Sequence, residues 1–145
     1  MGSHLKYEYD ERLDVIALDY VFNDDFYWPH NYGYIPQTRG GDGDQLDVFV
    51  LTRYPLAVGT IVHARPVGMI ELLDRGEEDN KILAVPVEDK AQALLTTLAD
   101  FPPQLIEDFQ AFIKKLAGEK EKTLEIISFR EREDTLRELK RQSSK

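Results

Sequence analysis

The stretch "GGDGDQLDVFVL", residues 40–51, sets Asp42, Asp44 and Asp47 among glycines and then runs into apolar residues. Its continuous apolar end predicts a buried strand over residues 46–51, closed by Arg53, Tyr54 and Pro55. Gly40, Gly41 and Gly43 allow a tight bend before it. Three carboxylates so close together repel one another unless water or a cation lies among them. An acidic surface turn and a divalent-cation site both stay open at this point. Mg²⁺ takes hard oxygen ligands and keeps several waters, so a few carboxylates suffice. An EF-hand is excluded: counted from Asp42, the sixth position is Asp47 where Gly is needed, and the twelfth is Arg53 where Glu is needed.

Upstream, residues 6–10 ("KYEYD") and 13–18 ("LDVIAL") read as two strands of a hairpin. Residues 19–44 are rich in aromatic, Asn, Gly and Pro residues and show no stable period. A long irregular stretch of this kind marks function, and its aromatics imply that it is packed down. Downstream, residues 61–67, 68–73 and 82–85 read as strands, with the charged turn "DRGEEDNK" at 74–81. Short strands at close spacing predict a small barrel. The last third changes period. Residues 90–98 put Ala91, Leu94, Leu95 and Leu98 on one helical face. Asp100 is placed to cap a second helix, with Pro102 and Pro103 in its first turn, Leu105, Phe109, Phe112 and Leu116 at helical spacing, and Gly118 at its end. Residues 124–129 read as a strand and 134–141 as a short final helix. The class is α+β, one domain over residues 5–145, with "MGSH" read as a tag remnant.

The chain of 145 residues carries 27 acidic against 18 basic side chains, a formal charge of −9. That balance argues against a nucleic-acid surface, which needs clustered Lys and Arg. Cysteine is absent, which rules out disulfides and thiolate metal sites and points to a cytoplasmic address. No run reaches the roughly 18 apolar residues of a membrane helix, so no membrane partner is expected.

A second acidic turn strengthens the first. Asp74 and Asp79 lie between two expected strands with Lys81 directly after, so both turns can meet in one pocket with a lysine at its rim. Lys6 and Glu8 share one face of the first strand. Tyr32 and Tyr34 of "NYGYIP" offer hydroxyls to phosphate oxygens, although both rings also suit a packed core. His4, His30 and His63 are not at zinc-site spacing. No nucleophile elbow, P-loop or dinucleotide fingerprint is present, which leaves metal-activated water as the natural nucleophile.

Taken together, these motifs resemble the family I soluble inorganic pyrophosphatases. The signature of that family, D-x-D-x-x-D followed by an apolar strand, is matched by "DGDQLDV". "KYE", "NYGYIP", the YPL of "TRYPL" with "RPVG" after it, and "D…EDNK" before "ILAVP" follow in the family's order, from Lys6 to Pro86. The helical end matches more loosely. The resemblance implies an OB-like five-stranded β-barrel with flanking C-terminal helices, and Mg²⁺-dependent hydrolysis of pyrophosphate. It implies that Asp42, Asp47, Asp74 and Asp79 hold several Mg²⁺ ions, for which Mn²⁺ can substitute. It implies Asp44 as general base, Glu8 as a ligand through water, and Lys6, Lys81, Lys114 and Tyr32 on phosphate oxygens. Assembly into a homo-oligomer is implied as well.

Three positions depart from the pattern. Tyr20 stands where the family has a phosphate-binding arginine, Ile113-Lys114 where it has a tyrosine–lysine pair, and Arg75 where it has a metal-loop glutamate. The chain also starts almost at "KYE", without the family's acidic N-terminal extension. Arg75, Arg39 or Arg53 are candidates for the missing cation. The alternatives are a hydrolase of another phosphoanhydride or nucleotide, or a metal- or phosphate-binding module of weak activity on the same barrel.

Overall fold

The computed structural model describes residues 1–41 and 43–143; Asp42, expected as a metal ligand, lies outside them. Strands β1 (Leu5–Asp10) and β2 (Val15–Val21) form the expected hairpin, with Lys6 opposite Tyr20. β2 begins later than expected because residues 11–14 are spent on the turn. The Asp10 carboxylate accepts from the Arg12 and Leu13 amides, and Asp14 takes a positive φ of 54°.

The second sheet joins β3 (Asn31–Tyr34), β4 (Asp47–Val50), β5 (Ala64–Asp74), β6 (Glu77–Glu78), β7 (Lys81–Pro86) and β8 (Leu124–Glu131). Its order is β3-β4-β7-β5-β6, with β8 on β5. β4 and β7 run parallel at the centre, and both are covered on two faces, which explains their unbroken apolar sequences. Phe49, Leu83, Val67 and Ile70 face one core with Phe22, Phe26 and Trp28. Val48, Ile82, Ala84 and Met69 face the other. Helix α1 (Gln104–Glu119) buries Phe109, Phe112 and Ile113 against the first face. Helix α2 (Arg132–Gln142) brings Leu139 to the second.

The architecture is α+β, and several expectations change in detail. The pairing among the described residues gives an open sheet and a separate hairpin; the five-stranded barrel is not seen closed by backbone hydrogen bonds. Residues 61–67 and 68–73 are not two strands: β5 starts at Ala64 and passes Pro66 through a bulge that accommodates its missing N–H. The helix expected over 90–98 is instead two 3₁₀ turns, Gln92–Leu94 and Leu98–Asp100. Asp89 binds the Ala91 and Gln92 amides and Asp100 binds those of Thr96 and Thr97, so side chains take the donors that a longer helix would need. Asp100 therefore caps the 3₁₀ turn, and Pro103 stands at the N-cap of α1.

Gly118 lies inside α1 and does not end it. The helix closes with Lys120 as C-cap and Glu121 in the left-handed region at φ 51°. The Glu121 amide donates to Gly118 O and the Lys122 amide to Ala117 O, the paired bonds of a Schellman turn. Of the apolar residues in 20–30, Phe22, Phe26 and Trp28 are core, as their packing potential suggested.

Candidate active site

The parallel register of β4 and β7 sets Asp47 beside Lys81, each the first residue of its strand. Asp74 ends β5, and Asp79 sits two residues before Lys81. Tyr32 projects from β3, Lys6 and Glu8 from β1. All of these line one cleft of about 480 Å³, together with Asp44 from the glycine-rich loop. Thr38 closes that loop at both ends, donating to Ile35 O and accepting from the Leu46 amide. Gly41 is needed there for close approach, since a Cβ on it would lie 2.7 Å from that of Glu78.

Lys81 is the electrostatic centre. Its ammonium donates to Asp47 and, at 3.0 Å, to Asp79, and lies 3.5 Å from the Tyr32 hydroxyl. Burial works against its charge, but Tyr32, Asp47 and Asp79 hold its pKa well above the ordinary lysine range. Tyr32 stacks on Trp28 at 4.7 Å, and burial followed by the Asp47 charge pushes its hydroxyl well above the ordinary value. It is therefore a protonated donor at neutral pH. Lys6 bonds Glu8 and, at 3.3 Å, Asp19; burial opposes its charge, yet the two acids raise its pKa. Burial would raise the Asp74 carboxyl, but Lys122 at 2.8 Å and Arg75 at 3.1 Å hold it below its usual value.

Two expected ligands lie elsewhere. Lys114 is exposed on α1 and does not line the cleft, where Ile113 and Leu116 do. Arg75 sits at the β5–β6 turn with φ 51°, pairs with Asp74 from outside, and is not a lining residue. The cleft gains Lys120 and Lys122 in their place. Both were hidden in "GEKEKTL", a charge-rich stretch whose direction depends on the turn after α1. The available signal was that cations favour a helix C-terminus.

The donors facing this cleft from Asp44, Asp47, Asp74 and Asp79 are carboxylate oxygens, and no histidine lines it, a set that suits a hard divalent cation. Among the described residues no three of them converge on one point, and Lys81 holds Asp47 and Asp79 on its ammonium.

Comparison with known proteins bears on this site. The family model for inorganic pyrophosphatase matches residues 1–145. The inorganic pyrophosphatase of Thermoplasma volcanium is 39% identical over 142 residues, covering 96% of this chain and 84% of its own. That of a Nostoc species is 35% identical over 130 residues, covering 90% and 77%. The solved structure of an inorganic pyrophosphatase from Coxiella burnetii superposes with a TM-score of 0.91 at 31% identity, over 97% of this chain and 86% of that one. With the family model spanning the whole sequence and the fold in agreement, the chain belongs to the inorganic pyrophosphatase family.

Proposed function

We propose that this chain hydrolyses inorganic pyrophosphate to two phosphates in the cleft where β4 and β7 begin and β5 ends, with Mg²⁺ on its aspartates. The observation that carries this reading is the meeting of opposite charges in one cleft. Asp44, Asp47, Asp74 and Asp79 face it together with Lys6, Lys81, Lys120 and Lys122. Carboxylates alone would repel a polyanion, and lysines alone would bind it without holding a metal.

In the reaction, a water oxygen bonds to one phosphorus, the bridging P–O bond breaks, and a proton leaves the water. We assign that proton to Asp44, which is exposed to the cleft. Lys6 and Lys81 bind phosphoryl oxygens, and Tyr32 donates from a hydroxyl that stays protonated. Glu8 keeps Lys6 in place. Asp42, Asp47, Asp74 and Asp79 are the residues that would hold Mg²⁺, with Mn²⁺ as a substitute. When bound there, the ion supplies neutralising charge and a more acidic water. Lys114 and Arg75 have no part in this scheme because neither lines the cleft.

Phosphate released from pyrophosphate in Mg²⁺ buffer is the test, with Asp47→Asn alongside. We expect a loss of about a hundredfold or more in the variant; undiminished release would remove Asp47 from the site and the mechanism with it. Ile113 on the cleft wall favours one second reading, a different phosphoanhydride, because an apolar side chain tolerates a bulkier group there. Faster hydrolysis of ATP than of pyrophosphate would establish it. We also read the hairpin and the sheet together as the OB-like barrel, since Tyr9 of β1 stacks on Tyr34 of β3 at 5.5 Å. Exposed Val15, Leu18 and Val21 on β2 support assembly of copies of the chain, which sedimentation would measure.

A further inference from the structure

Of the four lysines that line the cleft, three are committed to carboxylates. Lys6 pairs with Glu8 and Asp19, Lys81 with Asp47 and Asp79, and Lys122 with Asp74. Lys120 forms no ion pair among the described residues. Its ammonium lies over the Tyr20 ring, 3.8 Å from the centroid, and 5.9 Å from that of Phe22. An aromatic face attracts a cation without neutralising it. Lys120 thus reaches the cleft with its charge unspent.

The placement comes from two elements. Tyr20 stands opposite Lys6 in the hairpin, and its ring is braced by Phe22 at 4.7 Å. Its hydroxyl donates to Glu119 O at 3.4 Å, which ties β2 to the end of α1 one residue before Lys120. The Schellman turn then fixes the backbone of Lys120 as the C-cap. Strand and helix end meet so that Lys120 lines the cleft together with Lys6 and Lys122. Three lysines lining one cleft, with one of them outside any ion pair among the described residues, match a phosphoryl group that brings several acceptor oxygens.

We propose that Lys120 is a phosphoryl-binding residue of this site and that Tyr20 is its positioning residue. The proposal rests on the pyrophosphatase reading above for the substrate, and on the geometry for the two side chains. The departure at Tyr20 thereby has a structural meaning: the strand carries the ring and the helix end carries the charge.

The test is calorimetric binding of inorganic phosphate in Mg²⁺ buffer, alongside kcat and KM for pyrophosphate, for wild type, Lys120→Gln, Lys120→Arg, Tyr20→Phe, Tyr20→Leu and the Tyr20→Leu/Lys120→Gln double variant. Loss of a charged hydrogen bond predicts phosphate binding weaker by about tenfold or more in Lys120→Gln, with KM raised. Lys120→Arg keeps the charge and retains most of the binding that Lys120→Gln loses; Tyr20→Phe keeps the ring, loses only the hydroxyl bond to Glu119 O, and weakens binding less than Tyr20→Leu. Tyr20→Leu weakens binding, and adding it to Lys120→Gln weakens binding no further. Wild-type phosphate affinity in Lys120→Gln, or a wild type that binds no phosphate, overturns the proposal. Additive losses in the double variant overturn the positioning role of Tyr20. Should wild type bind phosphate but not turn over pyrophosphate, the proposed reaction fails while the binding comparison still decides Lys120.

Discussion

His30 shows how one side chain couples the fold to pH. Its Nδ1 is buried without a hydrogen-bond partner among the described residues, and its ring stacks on Phe109 at 5.0 Å. Burial lowers its pKa from the ordinary 6.5; the charge of Asp108 works the other way, and that of the N-terminus works with burial. As pH falls, the unfolded chain takes up the proton first. Stability therefore drops from about pH 6.5 downward and stops dropping on this account below the folded-state pKa. Replacing the ring by one that cannot titrate, His30→Phe, is expected to flatten the loss of denaturant midpoint between pH 7 and pH 5. Identical slopes in the two proteins would show that His30 is not held neutral. Part of the candidate cleft was legible for a related reason: Asp47, Asp79 and Lys81 stand at strand mouths, where charge beside an apolar run calls for a partner. Their mutual bond was not legible, because only the parallel register of β4 and β7 sets Asp47 beside Lys81.

At the scale of elements, sequence pattern and structure agree where packing dominates and part where local hydrogen bonds do. β4 and β7 were readable from unbroken apolar runs, as buried parallel strands require. β3 was not, because "NYGY" has no clear alternation and becomes a strand by pairing with β4, Tyr32 opposite Phe49. The apolar face expected over 90–98 does not form: Asp89 and Asp100 divert its amides into short turns, so that Leu94 is exposed and, of its four apolar residues, only Leu98 is buried. The end of α1 makes the same point more sharply. Gly118 reads as a terminator, but it is helical, and Glu121 takes the left-handed position usually left to glycine. A side chain at that φ costs about 1 kcal/mol. Glu121→Gly is therefore expected to stabilise by up to about 0.5 kcal/mol after the entropy cost of glycine, a rise of up to about 2 °C in Tm. Gly118→Ala should also stabilise, by about 0.5–1 kcal/mol, since its new methyl would meet nothing within 4 Å and alanine favours a helix interior. A destabilised Gly118→Ala in thermal unfolding would mean that the helix ends at Gly118 after all.

The whole molecule carries a charge of −9, and part of that excess faces one cleft. Lysines compensate it incompletely: Lys81 serves two carboxylates at once, and Lys122 serves Asp74, which Arg75 also serves from outside. A folded state that gathers carboxylates binds divalent cations more tightly than an unfolded chain that disperses them. Mg²⁺ is then linked to folding and stabilises the native state in proportion to the logarithm of one plus the ratio of its concentration to its dissociation constant. At one hundred times its dissociation constant the gain is about 2.7 kcal/mol, or about 5–10 °C in Tm for a chain of this size. General screening of net negative charge would also raise Tm, and it is separated by NaCl at matched ionic strength. The expected result is a Tm rise in Mg²⁺ well beyond that in matched NaCl, reversed by a chelator and diminished in Asp47→Asn and Asp74→Asn. Equal rises in the two salts would reduce the cleft to an acidic surface with lysine counterions. The Mg²⁺-binding part of the proposed function would then fall, whatever the fold shares with its family.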